Sequence, residues 1–289
     1  MNILITGKNG QLGSEIKFLS KSHTQYNFLF TSVDELDITK EELVNKFFKG
    51  HQIDVLINCA AYTNVDKAEE DFENANCVNH LAVGYLAKAC KEYNCRMVHV
   101  STDYVFDGSK NKPYTEADSP NPQSIYGDTK LKGEQIMRNI NPLNSIIIRT
   151  SWVYSRYGEN FVNTMLRLGE KYNKINVVAD QIGSPTNAAD LAQAILDIIP
   201  QLNNKKVRIF HFSGEGKCSW YNFAKTIFDL KGENVKVTPI QSSEYQALAK
   251  RPVYSVLDNT LIKKTYNLNI ISWEDSLEKC LEKNLFISS

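Results

Sequence analysis

The chain has 289 residues, enough for one large α/β domain or two domains of ordinary size. Lysine plus arginine number 33 and aspartate plus glutamate 33, so the formal charge is zero, and no basic block marks nucleic acid as the partner. Hydrophobic residues at 42% and charged residues at 23% exclude a disordered chain, and no apolar run approaches the ~20 residues of a membrane helix. Met1 to Gly10 lacks the apolar core of a signal peptide. The six cysteines (Cys59, Cys77, Cys90, Cys95, Cys218, Cys280) form no C-x-x-C pair and no metal spacing, so reduced thiols and a cytoplasmic location are expected.

The first half alternates strand and helix patterns. Asn2 to Thr6 reads as a strand, and Leu12, Ile16 and Leu19 then recur at helical spacing. Asn27 to Phe30 is a second strand and Glu41 to Lys49 a helix. Asp54 to Asn58 is a third strand and Phe72 to Tyr93 one long alanine-rich helix. Arg96 to Val100, a helix over Gln123 to Arg138, and Ser145 to Ile148 complete the series. Apolar strands separated by helices predict an α/β fold: a doubly wound, Rossmann-like parallel sheet covered on both faces.

After Arg149 the alternation loosens. Phe161 to Glu170 and Asn187 to Ile199 read as helices, and Val207 to Phe212 as a strand that returns to the main sheet. Ser219 to Leu230 is helical with Ser219 as N-cap, Val235 to Ile240 is a strand, and Ser272 opens an S-x-x-D capping signal before a closing helix. The expected organisation is a dinucleotide-binding domain over 1–150 and a smaller, mainly substrate-binding α/β part over 151–289, with 186–212 returning to the core.

Gly7-Lys8-Asn9-Gly10-Gln11-Leu12-Gly13 spells G-x-x-G-x-x-G between a strand and a helix. Glycines allow a tight turn and let backbone N–H groups approach a pyrophosphate, and the helix N-terminus adds favourable charge. A carboxylate at the end of the second strand would select NAD. Thr31 and Ser32 stand there instead, and Lys8 can supply positive charge. Asp34, Glu35 and Asp37 follow and can reach the adenosine. The expected cofactor is NADPH, with NADH as the alternative.

Tyr126 and Lys130 form Y-x-x-x-K on a predicted helix, one turn apart on one face. An ammonium there would lower the phenol's pKa and make it a general acid. Val100 to Tyr104 (VSTDY) ends the fourth strand, where doubly wound proteins bind ligands, so the Thr102 hydroxyl can hydrogen-bond a carbonyl beside Tyr126.

These three motifs resemble those of the extended short-chain dehydrogenases/reductases. The wording of Asn58 to Glu69 (NCAAYTNVDKAE), Ser101 to Gly108 (STDYVFDG), Tyr126 to Glu134 (YGDTKLKGE), Arg149 to Tyr154 (RTSWVY), Asn160 to Leu166, Asp180 to Thr186 (DQIGSPT) and Arg251-Pro252 with Ser255 to Asn259 is similar to the dTDP-4-dehydrorhamnose reductase branch. Cys59 departs from that pattern, where alanine is typical. The resemblance implies NAD(P)H-dependent reduction of the 4-keto group of dTDP-4-dehydro-β-L-rhamnose, a step toward cell-surface polysaccharide. It implies Thr102, Tyr126 and Lys130 as catalytic residues. Thr102, Asp103 and Trp152 would contact the sugar nucleotide, with Arg251 offered to the diphosphate. Gly10, Gln11, Leu12, Asp37, Ile38, Ala61, Tyr62 and Thr63 would line the cofactor, with Gly7, Gly13 and Thr31. Some family members bind Mg2+ at a subunit interface, which makes Glu15 and Asp190 candidate ligands against the plainer reading of two solvated carboxylates. A homodimer is compatible with the resemblance.

Other readings stay open. A reductase or epimerase of another nucleotide-linked 4-keto sugar would use the same residues. A 4,6-dehydratase needs Asp-Glu after the threonine, and here Tyr104 follows Asp103. A non-catalytic NADP-binding regulatory subunit is the alternative of a different class. The scattered histidines suggest no metal cluster, and His99 and His211 read as satisfied core residues.

Overall fold

The computed structural model describes residues 1–282; the last seven residues of the expected substrate-binding part lie outside the described ones. In chain order the first part runs β1 (Asn2–Thr6), α1 (Gln11–Leu19), β2 (Asn27–Thr31), α2 (Glu41–Gly50), β3 (Val55–Asn58), α3 (Val65–Glu70), α4 (Phe72–Asn76), α5 (Ala82–Glu92), β4 (Arg96–Thr102), α6 (Ile125–Ile140) and β5 (Ile146–Thr150). The rest runs β6 (Val153–Tyr154), α7 (Phe161–Gly169), β7 (Lys174–Val178), β8 (Ile182–Gly183), β9 (Thr186–Asn187), α8 (Ala188–Ile198), β10 (Arg208–His211), β11 (Cys218–Ser219), α9 (Trp220–Lys231), β12 (Lys236–Ile240), α10 (Thr260–Tyr266) and α11 (Trp273–Glu282).

Six strands form one parallel sheet in the order β10-β5-β4-β3-β1-β2, which is the doubly wound, Rossmann-like topology. The central strands are apolar on both faces because helices cover both. Ile3, Ile5, Val55, Ile57 and Val98 pack with α1 and α8, while Leu4, Leu56 and Met97 pack with α2 and α5. Each fully buried aliphatic side chain is worth roughly 1.5–3 kcal/mol relative to exposure, so these two layers fix the strand ends that carry the site. Arg208–His211 pairs parallel with Ile146–Arg149 at the sheet's edge. A third cluster, around Phe223, Ile227, Trp273 and Leu277, ties α9 and α11 to β7.

The long helix expected over Phe72 to Tyr93 is interrupted. α4 and α5 are joined by a π-helical turn over Cys77–Leu81. That widening carries Asn79 inward, where it bonds both backbone groups of Tyr62 and the Thr129 hydroxyl. The periodicity of an alanine-rich run does not register such a turn. α3, β7 and α10 are further elements that pattern reading passed over. The caps behave as expected: Ser219 Oγ accepts from Asn222 N, and Ser272 Oγ from Asp275 N.

Candidate active site

Crowding explains the glycines of the β1–α1 turn. Gly7 has φ +70°, and a Cβ on it would stand 2.8 Å from Ala60 N. A Cβ on Gly13 would stand 2.4 Å from the Gly7 carbonyl oxygen. Gly10 is the N-cap of α1 and offers no side-chain cap, leaving the helix's first N–H groups for a ligand. Gln11 Oε1 beside them is buried and unpartnered. The turn opens on a cavity of about 350 Å³ lined by Gly7, Gly10, Asp37, Ile38 and Ala61 among the expected cofactor residues, and by Ser32 and Cys59. Leu12 and Gly13 are buried behind it. Tyr62 bonds Asn79 through its backbone N–H and Asp71 through its hydroxyl, and Thr63 is exposed. Burial pushes the Cys59 thiol up to about 12, so at this wall it is a small apolar group.

The end of β2 differs from its sequence reading in two ways. Thr31 is buried and turns its hydroxyl onto the Ile5 carbonyl of the neighbouring strand, so Ser32 faces the cavity in its place. A carboxylate does stand there. Glu35 folds back, accepts from Ser32 N at 2.8 Å and from the Ser32 hydroxyl, and pairs with Lys8. Those contacts, Lys8 first, hold its carboxyl down near 2. Lys8 is therefore matched with an acid rather than free for a phosphate.

The residues expected to be catalytic come together. Ser124 caps α6, and the close approach at Gly127, where a Cβ would lie 2.2 Å from the Tyr104 carbonyl oxygen, sets Tyr126 against the end of β4. The Thr102 hydroxyl donates to Asp103 Oδ1 at 3.1 Å and lies beside the Tyr126 phenol. Lys130 is buried one turn further on and donates to the Val100 carbonyl at 2.6 Å. The expected lowering of the Tyr126 pKa by Lys130 does not appear. Burial pushes the phenol up to about 12, the Thr102 hydroxyl opposing it and the Asp103 charge adding to it. Burial lowers Lys130 to about 8 against the pull of Glu134. Burial also raises Asp103 to about 6, against the Ser255 hydroxyl nearby and the hydrogen bond from Thr102. The apolar surroundings dominate all three shifts.

Trp152 has φ +47°, a strained conformation for a non-glycine residue, and stacks on Trp220 with centroids 3.5 Å apart. One ring face is thus already covered. Arg251 makes a two-pronged bond to Asp66, at 2.6 and 3.2 Å, which binds the late R-P-x-x-S segment to α3. Within the D-Q-I-G-S-P-T stretch, Asp180 receives Ser242 N and Oγ. Glu15 is not a solvated carboxylate. It is 2% exposed and accepts from Ser155 at 2.7 Å and Arg156 at 3.2 Å. Asp190 accepts from the Ser276 hydroxyl. Among the described residues no three His, Cys, Asp or Glu side chains gather as a metal site. His99 and His211 are buried; each bonds through Nδ1, to Asn58 and to the Tyr114 carbonyl, and each leaves Nε2 without a partner. Asn79 and Glu134, both central to the site's framework, had no role in the sequence reading.

Residues 1–286 match the family described as RmlD substrate binding domain. A curated relative from Aggregatibacter actinomycetemcomitans, dTDP-4-dehydrorhamnose reductase, is 42% identical over 285 residues, covering 96% of this chain and 97% of that one. The chain belongs to the dTDP-4-dehydrorhamnose reductase family. The solved reductase of Clostridium acetobutylicum superposes with a TM-score of 0.93 at 44% identity, over 98% of this chain and 99% of that one. The reductase of Bacillus anthracis, solved in complex with NADP, gives 0.93 at 38% identity over the same shares. The glycine turn follows β1 and Thr102 ends β4, while Tyr126 and Lys130 lie on α6 against that end of β4. No helix among the described residues is long and apolar enough to cross a membrane.

Proposed function

We infer that this protein reduces the 4-keto group of dTDP-4-dehydro-β-L-rhamnose to give dTDP-β-L-rhamnose, using NADPH or NADH; Glu35 at the end of β2 weighs against a strict preference for NADPH. The observation that carries the reading is the gathering of Thr102, Tyr126 and Lys130 at the end of β4, in the same sheet whose β1 carries the glycine turn. A nicotinamide dinucleotide fits the cavity at that turn: Gly7 and Gly10 leave no side chain over the helix N-terminus, and Gln11 Oε1 lacks a partner. When bound, the reduced cofactor supplies a hydride to the sugar carbonyl.

The protein's own groups supply the proton and the binding. At neutral pH the Tyr126 phenol is protonated, as a free phenol is, and burial, which raises it to about 12, reinforces this, so the acid form needed for reduction is the resting form. Thr102, beside that phenol, offers a second hydroxyl toward the developing oxyanion. Lys130 contributes positive charge one turn away, Trp152 offers its uncovered ring face to the sugar, and Arg251 would reach a diphosphate only by releasing Asp66. The ring of Tyr104 stands edge-on to Tyr126 with centroids 5.5 Å apart, where a dehydratase would need a carboxylate base. Tyr126→Phe tests the assignment. Turnover falls at least ~100-fold, the usual scale of general acid catalysis, while NADPH affinity changes little. Near-normal turnover removes Tyr126 from the chemistry.

A further inference from the structure

The row of functional residues on α6 does not stop at Lys130. Tyr126, Lys130 and Glu134 are spaced i, i+4 and i+8, so they share one helix face. Each meets one of three consecutive residues at the end of β4. The phenol lies beside Thr102, Lys130 Nζ donates to the Val100 carbonyl at 2.6 Å, and the Ser101 hydroxyl donates to Glu134 Oε1 at 2.5 Å. From β5, Arg149 adds two bonds to Glu134, Nε to Oε1 at 2.9 Å and Nη2 to Oε2 at 2.6 Å. Lys130, Glu134, Ser101 and Arg149 are each no more than 3% exposed.

Such an arrangement is costly as a mere staple. A buried ion pair exchanged for apolar residues of similar volume often leaves stability unchanged or improved. A buried ammonium with no carboxylate nearby, by contrast, sheds its proton. We propose that Glu134 is a positioning residue of the reductase: its carboxylate, oriented by Arg149 and Ser101, keeps the Lys130 ammonium charged and seated on the Val100 carbonyl, one turn from Tyr126.

The charged and titratable groups around Lys130 leave this task to Glu134. On its own helix they are Tyr126 and Glu134. From β4 comes His99, which burial and Lys130 itself hold neutral. Asp103, after β4, lies against Thr102 and Tyr126. Arg149 of β5 is bound to Glu134, and the residue reaching α6 from the π-helical turn is neutral Asn79.

The proposal rests on Lys130 serving the reductase, and its test does not depend on turnover. In cofactor-free protein labelled with 13C at lysine Cε, the Lys130 signal is assigned by its loss in Lys130→Met and titrated by NMR. In Glu134→Gln the Lys130 midpoint falls by about one pH unit or more, a tenfold loss of proton affinity, and Glu134→Asp restores most of it. The alkaline limb of kcat moves down by the same interval. If Glu134→Gln fails to fold, Glu134→Gln/Arg149→Met is compared with Arg149→Met, so that only the carboxylate differs, and the double variant's Lys130 midpoint lies lower by a similar interval. An unchanged Lys130 midpoint overturns the proposal and makes Glu134 a staple only. Wild-type protein that turns over no 4-keto sugar refutes the proposed function, and the titration still decides the role of Glu134.

Discussion

Replacing Gly13 by alanine should damage cofactor binding without touching a cofactor contact. The new Cβ would sit 2.4 Å from the Gly7 carbonyl oxygen and 2.8 Å from Lys8 Cα, against 3.4 Å for the start of ordinary contact. Both obstructing atoms are backbone, so the turn itself must retreat by about 1 Å, and no side chain can swing away. Overpacking of this kind costs roughly 1–3 kcal/mol. Part of that falls on the geometry that presents Gly10 and the first N–H groups of α1 to a pyrophosphate. At 1.4 kcal/mol per decade, the NADPH dissociation constant should rise roughly 10- to 100-fold. Quenching of tryptophan fluorescence on NADPH titration measures it. Gly50→Ala, with nothing within 4 Å of the added carbon, is the control and should bind as the wild type does. A Gly13→Ala protein that binds NADPH at wild-type affinity would refute the account of the turn.

Two further predictions follow from charges. Glu35→Gln removes the carboxylate that holds Ser32 and pairs with Lys8, so the ratio of kcat/KM for NADPH over NADH should rise several-fold; an unchanged ratio would place the adenosine phosphate elsewhere. Asp103 has its folded pKa raised to about 6 from the usual 3.8, so the folded state binds its proton more tightly and stability falls as pH rises from about 4 to 6. Asp103→Asn should therefore gain up to ~3 kcal/mol in urea unfolding at pH 8 and nothing at pH 4. An equal effect at both pH values would show that Asp103 is not buried charged.

Local spacing carried much of the site. G-x-x-G-x-x-G after β1, the hydroxyls at the end of β4, and Tyr126 with Lys130 were legible because each depends on neighbours a turn or a strand apart. The alternation of apolar strands and helices likewise read out the parallel sheet. What escaped the sequence depends on long-range encounters. Arg251 meets Asp66 across 185 residues and Arg156 meets Glu15 across 141, so the first is spoken for before any diphosphate arrives and the second removes a candidate metal ligand. Glu35 was in view as a contact for adenosine, yet its return to Ser32 and Lys8 needed the turn's conformation. The lowered phenol pKa drawn from Y-x-x-x-K failed for a related reason. Spacing puts Lys130 one turn from Tyr126, but the burial that raises the phenol comes from the whole fold.

The most direct test of the central claim follows NADPH and the sugar together. Carbonyl reduction consumes one reduced cofactor per product, whereas 4,6-dehydration returns its hydride to the same sugar and consumes none. With Tyr126, Lys130 and Thr102 assembled and Tyr104 beside them in place of a carboxylate, the protein should oxidise NADPH in a one-to-one ratio to dTDP-rhamnose formed from dTDP-4-dehydrorhamnose. It should leave dTDP-glucose unchanged. Formation of a 4-keto-6-deoxy sugar from dTDP-glucose without added NADPH, or no NADPH oxidation with the 4-keto substrate, would contradict it.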